Sequence, residues 1–250
     1  MSYPMEFKVN TKTYVKPKKM SKEVVMLLPT EEKSQIGYDT REKNSGSKEL
    51  ELCEKYGLTQ VGGSQTKVDG TNGVDNYSIK NMGGSSTQVH LTTQKSFLDN
   101  FDANDDVYEF VRMFCGTQEM FDAGKDRYTS IEIAKSYPEI YDAFESFLNE
   151  NKIAIIQYII SNKSDITHVL VRDTKKNIEY SLTTQEIYDK CKECYWEILK
   201  GGIHLRNKSG KSIFHFQREG KKGGNPNKIR GIKFKNRFNV LWHIHRILFT

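Results

Sequence analysis

Hydrophobic and polar positions change their spacing along the chain, and the changes outline its elements. KELELCEKYG (residues 48–57) places Glu49, Leu52, Cys53 and Tyr56 on one helical face, which predicts a short helix closed by Gly57. LTQVGGSQTKVDGTNGVDNYSIKNM then consists of short pieces separated by GG, DG and NG turn signals, which predicts a β-hairpin or meander. STQVHLTT predicts a further strand.

The rest of the chain mixes helical and strand patterns without steady βαβ alternation. YEFVRMF and EIYDAFESFLNE predict amphipathic helices, and KIAIIQYII is an apolar run that fits either a buried strand or a buried helix. THVLVRD and NIEYSLTT predict strands, and EIYDKCKECYWEIL predicts a helix. The end of the chain predicts strands joined by Gly-rich basic loops.

The length of 250 residues suits one domain over residues 1–250, with residues 1–45 as an N-terminal arm or a loosely packed entry. No apolar run reaches the roughly 18 residues that a membrane span needs, and the first residues carry no signal-peptide core. We therefore expect a cytoplasmic protein without membrane contact.

The net charge of +6 conceals an asymmetry. Residues 200–250 carry 13 Lys and Arg and the single acid Glu219, whereas the preceding 199 residues carry 25 basic and 31 acidic side chains. A strongly basic segment on an otherwise acidic chain indicates a polyanionic partner. Nucleic acid is the leading candidate, ahead of an acidic protein or a membrane surface.

The predicted hairpin carries the first candidate chemistry. In the strand NYSIKN, Tyr77 and Ile79 point to one face, and Ser78 and Lys80 to the other. If residues 67–69 pair with this strand, Asp69 approaches Ser78 and Lys80. A carboxylate beside a lysine can hold a divalent ion while the lysine orients an attacking water, and Mg²⁺ accepts few carboxylates.

Glu49 is the third group of this candidate site. It shares a helical face with residues that should pack on the sheet, and a carboxylate on a packing face is unusual. It is either a second metal ligand or an orienter of the lysine, or else a solvated residue near the helix start.

Glu49, then Asp69, then Ser78-Ile79-Lys80 resembles the pattern of the PD-(D/E)XK nuclease superfamily. Ser78 stands where the second acid of the pattern usually is, which leaves one carboxylate fewer. The region from ESFLNENKIAIIQYII to GNPNKIRGIKFK is similar to the end of small type II restriction endonucleases that cut short palindromic sites. Over residues 45–238, the resemblance implies an α/β fold with a mixed central β-sheet flanked by helices, and Mg²⁺-dependent hydrolysis of DNA phosphodiester bonds.

The resemblance assigns metal binding to Asp69 and Glu49, the holding of an ion-bound water to Ser78, and the positioning of the attacking water to Lys80. Two alternatives stay open. Asp75 could replace Asp69, although it lies close to Ser78 for hairpin geometry. Gln88 and His90, taken to share a strand face, could form the catalytic pair, or SSTQVH could lie near DNA, with Gln88 as a contact.

The basic end carries the residues predicted to contact DNA. Phe214 and Phe216 should anchor a strand in the core, and its end and the following turn offer polar side chains to the duplex. Arginine and glutamine read guanine and adenine edges, whereas lysines more often meet phosphates. The predicted contacts are Gln217, Arg218, Lys221, Lys222 and Asn225.

The sequence thus predicts a site-specific endodeoxyribonuclease for double-stranded DNA that acts as a monomer or homodimer with Mg²⁺. The alternatives are a DNA-binding protein without catalysis, or a nuclease for RNA or branched DNA. Cys191 and Cys194 lack a second pair at zinc spacing, and the four histidines of the basic end lack nearby acids, so neither set predicts a metal site.

Overall fold

The computed structural model describes residues 46–61, 67–124, 127–218 and 231–241. Backbone contacts divide the chain into two units, Met1–Ser47 and Lys48–Thr250, and nearly all described residues belong to the second. The prediction of one domain over residues 1–250, with an arm at residues 1–45, stays a prediction, because the arm lies outside the described residues.

The described residues form strands and helices in a mixed order. The strands are β1 (Thr59–Gln60), β2 (Gly70–Thr71), β3 (Asn76–Met82), β4 (Thr87–Thr92), β5 (His168–Asp173), β6 (Ile178–Thr183), β7 (Tyr195–Leu199), β8 (Gly202–Arg206), β9 (Ser212–Arg218) and β10 (Ile232–Asn236). The helices are α1 (46–55), α2 (Gln94–Leu98), α3 (Asp105–Cys115), α4 (Gln118–Asp122), α5 (Ser130–Ser136), α6 (Pro138–Glu150), α7 (Lys152–Ser161), α8 (Thr184–Lys192) and α9 (Phe238–Leu241).

The strands form two five-stranded sheets. Sheet A has the order β1-β2-β3-β5-β6, with β3 and β5 parallel and its other pairs antiparallel. Sheet B has the order β4-β10-β9-β8-β7 and is antiparallel throughout. The predicted α/β fold with a mixed β-sheet flanked by helices is therefore confirmed, and the structure adds a second, antiparallel sheet. Since β2 and β5 occupy both edges of β3, β4 pairs with β10 instead.

One hydrophobic core joins strands of both sheets to most of the helices. The apolar run KIAIIQYII, which fitted either a strand or a helix, forms helix α7. The side chains of Ile155, Ile156, Ile159 and Ile160 are buried, so more than one side of this helix faces the core. Phe214 and Phe216 anchor β9 in this core, as predicted. Among the described residues, no helix is long and apolar enough to cross a membrane.

The region around the CKEC sequence differs from the prediction. Helix α8 ends at Lys192, and Tyr195–Leu199 is strand β7 rather than a continued helix. Trp196 is buried and Tyr195 is exposed, which is strand alternation, and β7 pairs with β8 along its length. Cys191 and Cys194 are buried free thiols.

Candidate active site

The β2–β3 turn determines where Asp69 lies. Asn72 accepts hydrogen bonds from the backbone N–H of Val74 and of Asp75, and Gly73 has a φ of +90°, which favours glycine. The turn pairs Gly70 with Tyr77, and the N–H of Asp69 donates to the Tyr77 carbonyl at 2.8 Å. The local turn chemistry therefore brings Asp69 opposite the middle of β3.

The Asp69 carboxylate joins three consecutive residues of β3. Its Oδ2 accepts hydrogen bonds from the Ser78 hydroxyl (3.2 Å), the Ile79 N–H (2.6 Å) and the Lys80 ammonium (3.3 Å). The ammonium also donates to the Ile79 carbonyl at 3.1 Å. The side chains of Asp69 and Lys80 are each 20% exposed, so the pair is partly shielded but open to solvent. The structure thus brings Asp69, Ser78 and Lys80 together.

The two faces of β3 are both covered, which the sequence did not predict. Ile79 packs in a small cluster with Leu52, Cys53 and Leu170, as expected for its face. Ser78, on the face that it shares with Lys80, is 1% exposed, because Met82 on the same face belongs to the main core. Its hydroxyl therefore has a fixed role as a donor to Asp69.

Asp75, the alternative carboxylate, lies on the other side of the turn. Its Oδ1 is 3.6 Å from Nδ1 of His168, and its Oδ2 accepts from the Asn72 amide at 3.5 Å. The carboxylate that contacts Lys80 is that of Asp69.

Lys67 is a second lysine of the site, and the sequence interpretation missed it. Its ammonium donates to the carbonyls of Val89 in β4 (3.4 Å) and of Ile159 in α7. Burial, and then the charge of Lys80, lower the pKa of Lys67 to about 7, while Asp69 opposes the shift. The local sequence pattern did not reveal it, because residues 67–69 precede β2 and the two acceptors belong to β4 and α7.

Helix α1 covers the opposite side of the hairpin, as the sequence predicted. Leu52 and Cys53 are fully buried, and Glu49 is half-buried one turn earlier. The Cys53 thiol donates to the Asp69 carbonyl at 3.8 Å. Burial raises the pKa of Cys53, and the charges of Asp69 and Glu49 raise it further. The charges of Asp69 and Glu49 therefore both reach the Cys53 thiol. The role of Glu49 as a metal ligand or as an orienter of Lys80 stays a prediction.

Gln88 and His90 do not share a face, so that part of the sequence interpretation is wrong. A β-bulge in the pairing of β4 with β10 sets His90 opposite buried Phe234 and Gln88 opposite Lys235. A bulge shifts the alternation of side chains, and the extra residue here is Val89. The His90 ring lies edge-on to the Tyr158 ring, with centroids 4.9 Å apart. Burial, and to a smaller extent the positive charge of Lys67, lower the pKa of His90 to about 4.

The predicted DNA contacts divide between the faces of sheet B. One face packs on the core, and we call the opposite one the outer face of sheet B. Strand pairing aligns a row of side chains across this outer face: Gln88, Lys235, His215, His204 and Glu197. Gln217 pairs with Lys233 in the next row. Lys221, Lys222 and Asn225 lie outside the described residues.

Arg218 points to the core side and already has partners. Its Nη1 donates to the carbonyls of Phe114 (3.1 Å) and Tyr128 (2.7 Å), and its guanidinium lies 5.0 Å from the centroid of the Phe114 ring. The side chain therefore ties β9 to the end of α3 and to the segment before α5. Its predicted contact with DNA stays a prediction.

The oxygen atoms around Lys80 fit a hard divalent cation. The Asp69 carboxylate and the Ile79 carbonyl both lie within hydrogen-bonding distance of the Lys80 ammonium, so positive charge is already favoured there. Oxygen donors of this kind are those that Mg²⁺ prefers, with waters and substrate oxygens completing its coordination. Within the described ranges, no group of three or more His, Cys, Asp and Glu residues could hold a metal ion. The site is therefore poor in carboxylates.

The chain is similar to a solved structure of the restriction endonuclease MspI in complex with its cognate DNA. The TM-score is 0.41 and the sequence identity is 9%, over 71% of this chain and 66% of that chain, which is just under two thirds of its length. No protein-family model matches the sequence. No curated protein matches it either.

Proposed function

We propose that the protein is an endodeoxyribonuclease that hydrolyses phosphodiester bonds of double-stranded DNA with Mg²⁺. The observation that carries this proposal is the Asp69 carboxylate, held by three consecutive residues of β3 and paired with Lys80 at 3.3 Å. The basic residues of sheet B support a polyanionic substrate.

Each side chain of the site has a role in this proposal. Asp69 and the Ile79 carbonyl would hold Mg²⁺, with Glu49 as a further ligand or as a positioning residue. The bound ion would stabilise the negative charge that develops on the phosphate during hydrolysis. The Ser78 hydroxyl and the Ile79 N–H orient the carboxylate. The Lys80 ammonium would turn from its two oxygen partners to position the attacking water.

The Asp69 carboxylate is already oriented in the protein without substrate, by hydrogen bonds from Ser78 and Ile79. Its partners lie on a strand that is paired on both sides, so little reorganisation of the backbone is needed. Preorganised groups of this kind avoid the cost of ordering during the reaction. A single well-oriented carboxylate can therefore support hydrolysis in a site with few acids.

The experiment is incubation of the protein with phage DNA in Mg²⁺, with an EDTA control. We expect discrete fragments that EDTA abolishes. Asp69→Asn should lower the cleavage rate at least about 10²-fold, as is usual for the loss of a catalytic group. Asp75→Asn is the matched control, because it changes a carboxylate of the same hairpin that does not contact Lys80.

Two results would overturn the proposal. Duplex binding without cleavage at any Mg²⁺ concentration would leave a DNA-binding protein, and cleavage of RNA or branched DNA in preference to the duplex would change the substrate. An inactive Asp75→Asn variant beside an active Asp69→Asn variant would reassign the carboxylate.

A further inference from the structure

The outer face of sheet B collects side chains from distant parts of the chain. The core side of the sheet carries Phe214, Phe216 and Phe234, all buried. On the outer face, alternation places Lys233 and Lys235 of β10 beside residues of the neighbouring strands. The bulge in β4 adds Gln88 to the same face, and β9 adds Gln217, so both glutamines predicted to contact DNA lie there.

The charges on this face are unbalanced. Arg206 forms an ion pair with Glu197. Lys233, Lys235 and Arg237 form no ion pair with any residue in the described part of the chain. Three cations therefore lack a carboxylate partner among the described residues, next to glutamine side chains that can hydrogen-bond to bases.

Two imidazoles occupy the centre of the face. The rings of His204 and His215 stack with centroids 4.1 Å apart, and Nδ1 of His204 lies 2.9 Å from the Ser212 hydroxyl. Burial and then nearby positive charge, including that of Lys235 and Arg237, lower the pKa of His215 to about 4. The face thus has a positive potential that disfavours a further cation and favours an anion.

Gly202 makes room for this arrangement. A Cβ atom at position 202 would lie 2.3 Å from Nε2 of His215, so any larger residue there would displace the imidazole. Gly202 pairs with Gln217, so the absence of a side chain at position 202 lets the His215 ring lie against the backbone of β8.

We infer that the outer face of sheet B is a docking surface for double-stranded DNA, on which Lys233 and Lys235 contact backbone phosphates. Charge complementarity selects a polyanion, and the combination of lysines with Gln88 and Gln217 fits a duplex, whose phosphates and base edges these residue types contact. The inference rests on the proposed function, because it names the surface that would hold the substrate.

The test measures binding of the full chain to a short fluorescent DNA duplex by anisotropy, in EDTA to prevent cleavage, at a series of KCl concentrations. Lys233→Gln and Lys235→Gln remove the charge and keep much of the side-chain stem. We expect each to lower the slope of log affinity against log salt by about one, and the double variant by about two. Lys175→Gln, in the β5–β6 turn of sheet A, is the matched control and should leave the slope unchanged.

The outcomes separate this inference from the proposed function. If the wild-type chain binds no duplex, the proposed function fails, and this inference fails with it. If it binds and cleaves but both lysine variants keep the wild-type slope, only the docking surface is wrong. Equal competition by duplex RNA would overturn the assignment of DNA as the partner of this face.

Discussion

Substitution of Arg218 separates a structural role from a DNA-reading role. Arg218→Ala removes two hydrogen bonds from a charged donor to the carbonyls of Phe114 and Tyr128, and a cation–π contact with the Phe114 ring. Hydrogen bonds that involve a charged group contribute about 1.5–3 kcal/mol each, and a cation–π contact about 1 kcal/mol. Because releasing the side chain regains about 2 kcal/mol of rotamer entropy, we expect the free energy of unfolding to fall by about 3 kcal/mol.

The assay is equilibrium unfolding in urea, followed by tryptophan fluorescence. Gln217→Ala is the control, since it changes the neighbouring residue on the outer face and should cost less than about 1 kcal/mol. Arg218→Lys should give an intermediate loss, because a single ammonium lacks the fork that reaches both carbonyls.

A loss below about 1 kcal/mol in Arg218→Ala, together with loss of preference for the cognate duplex, would show that the guanidinium reads base edges instead. A large loss of stability with discrimination retained would place the reading of sequence on other residues.

Three further predictions concern the site and the pH dependence of folding. Lys80→Ala should lower cleavage at least about 10²-fold while retaining duplex binding, and a rate above about a tenth of wild type in a gel assay would contradict its role. Glu49→Gln should raise the Mg²⁺ concentration that gives half-maximal cleavage. An unchanged Mg²⁺ titration would show that Glu49 is a solvated residue that does not contribute to metal binding. The pKa values of His90 and His215 are both lowered to about 4, so the stability that each contributes is complete above about pH 6.5 and is lost as the pH falls towards 4. Because both imidazoles are only partly buried, solvent screening limits the loss of unfolding free energy to about 1 kcal/mol each at about pH 5 relative to about pH 8. In urea unfolding, His90→Phe should reduce the difference in unfolding free energy between the two pH values by that amount, and an unchanged difference would contradict the burial of that imidazole.

The hairpin of the candidate site illustrates what can be predicted from local sequence. The turn residues between Asp69 and Asn76 determine the register of β2 with β3, and this register alone brings Asp69 opposite Ser78 and Lys80. The face of α1 with Leu52 and Cys53 was likewise predictable, because helical spacing places the apolar residues on one side. Such features depend on residues close in the chain, so the periodic pattern contains them.

The positions of Lys67 and Arg218 depend on contacts between elements that are distant in the chain. Each donates to carbonyls of elements far away in the chain, and no local pattern identifies a backbone carbonyl that lacks a partner. The ends of α8 and β7 also required tertiary context, because the pairing of β7 with β8 overrides the helical spacing of the CKEC region.

Most of the strands and helices, the contact of Asp69 with Lys80, and the basic character of residues 200–250 follow from local sequence. The division of the strands into two sheets depends on tertiary pairing, since β2 and β5 occupy both edges of β3 and β4 pairs with β10. Tertiary pairing also brought Gln88 and Gln217 to one face, through a bulge that sequence alternation does not reveal. Local hydrogen bonding encodes the elements, whereas the choice of strand partners depends on which edges the rest of the chain leaves free.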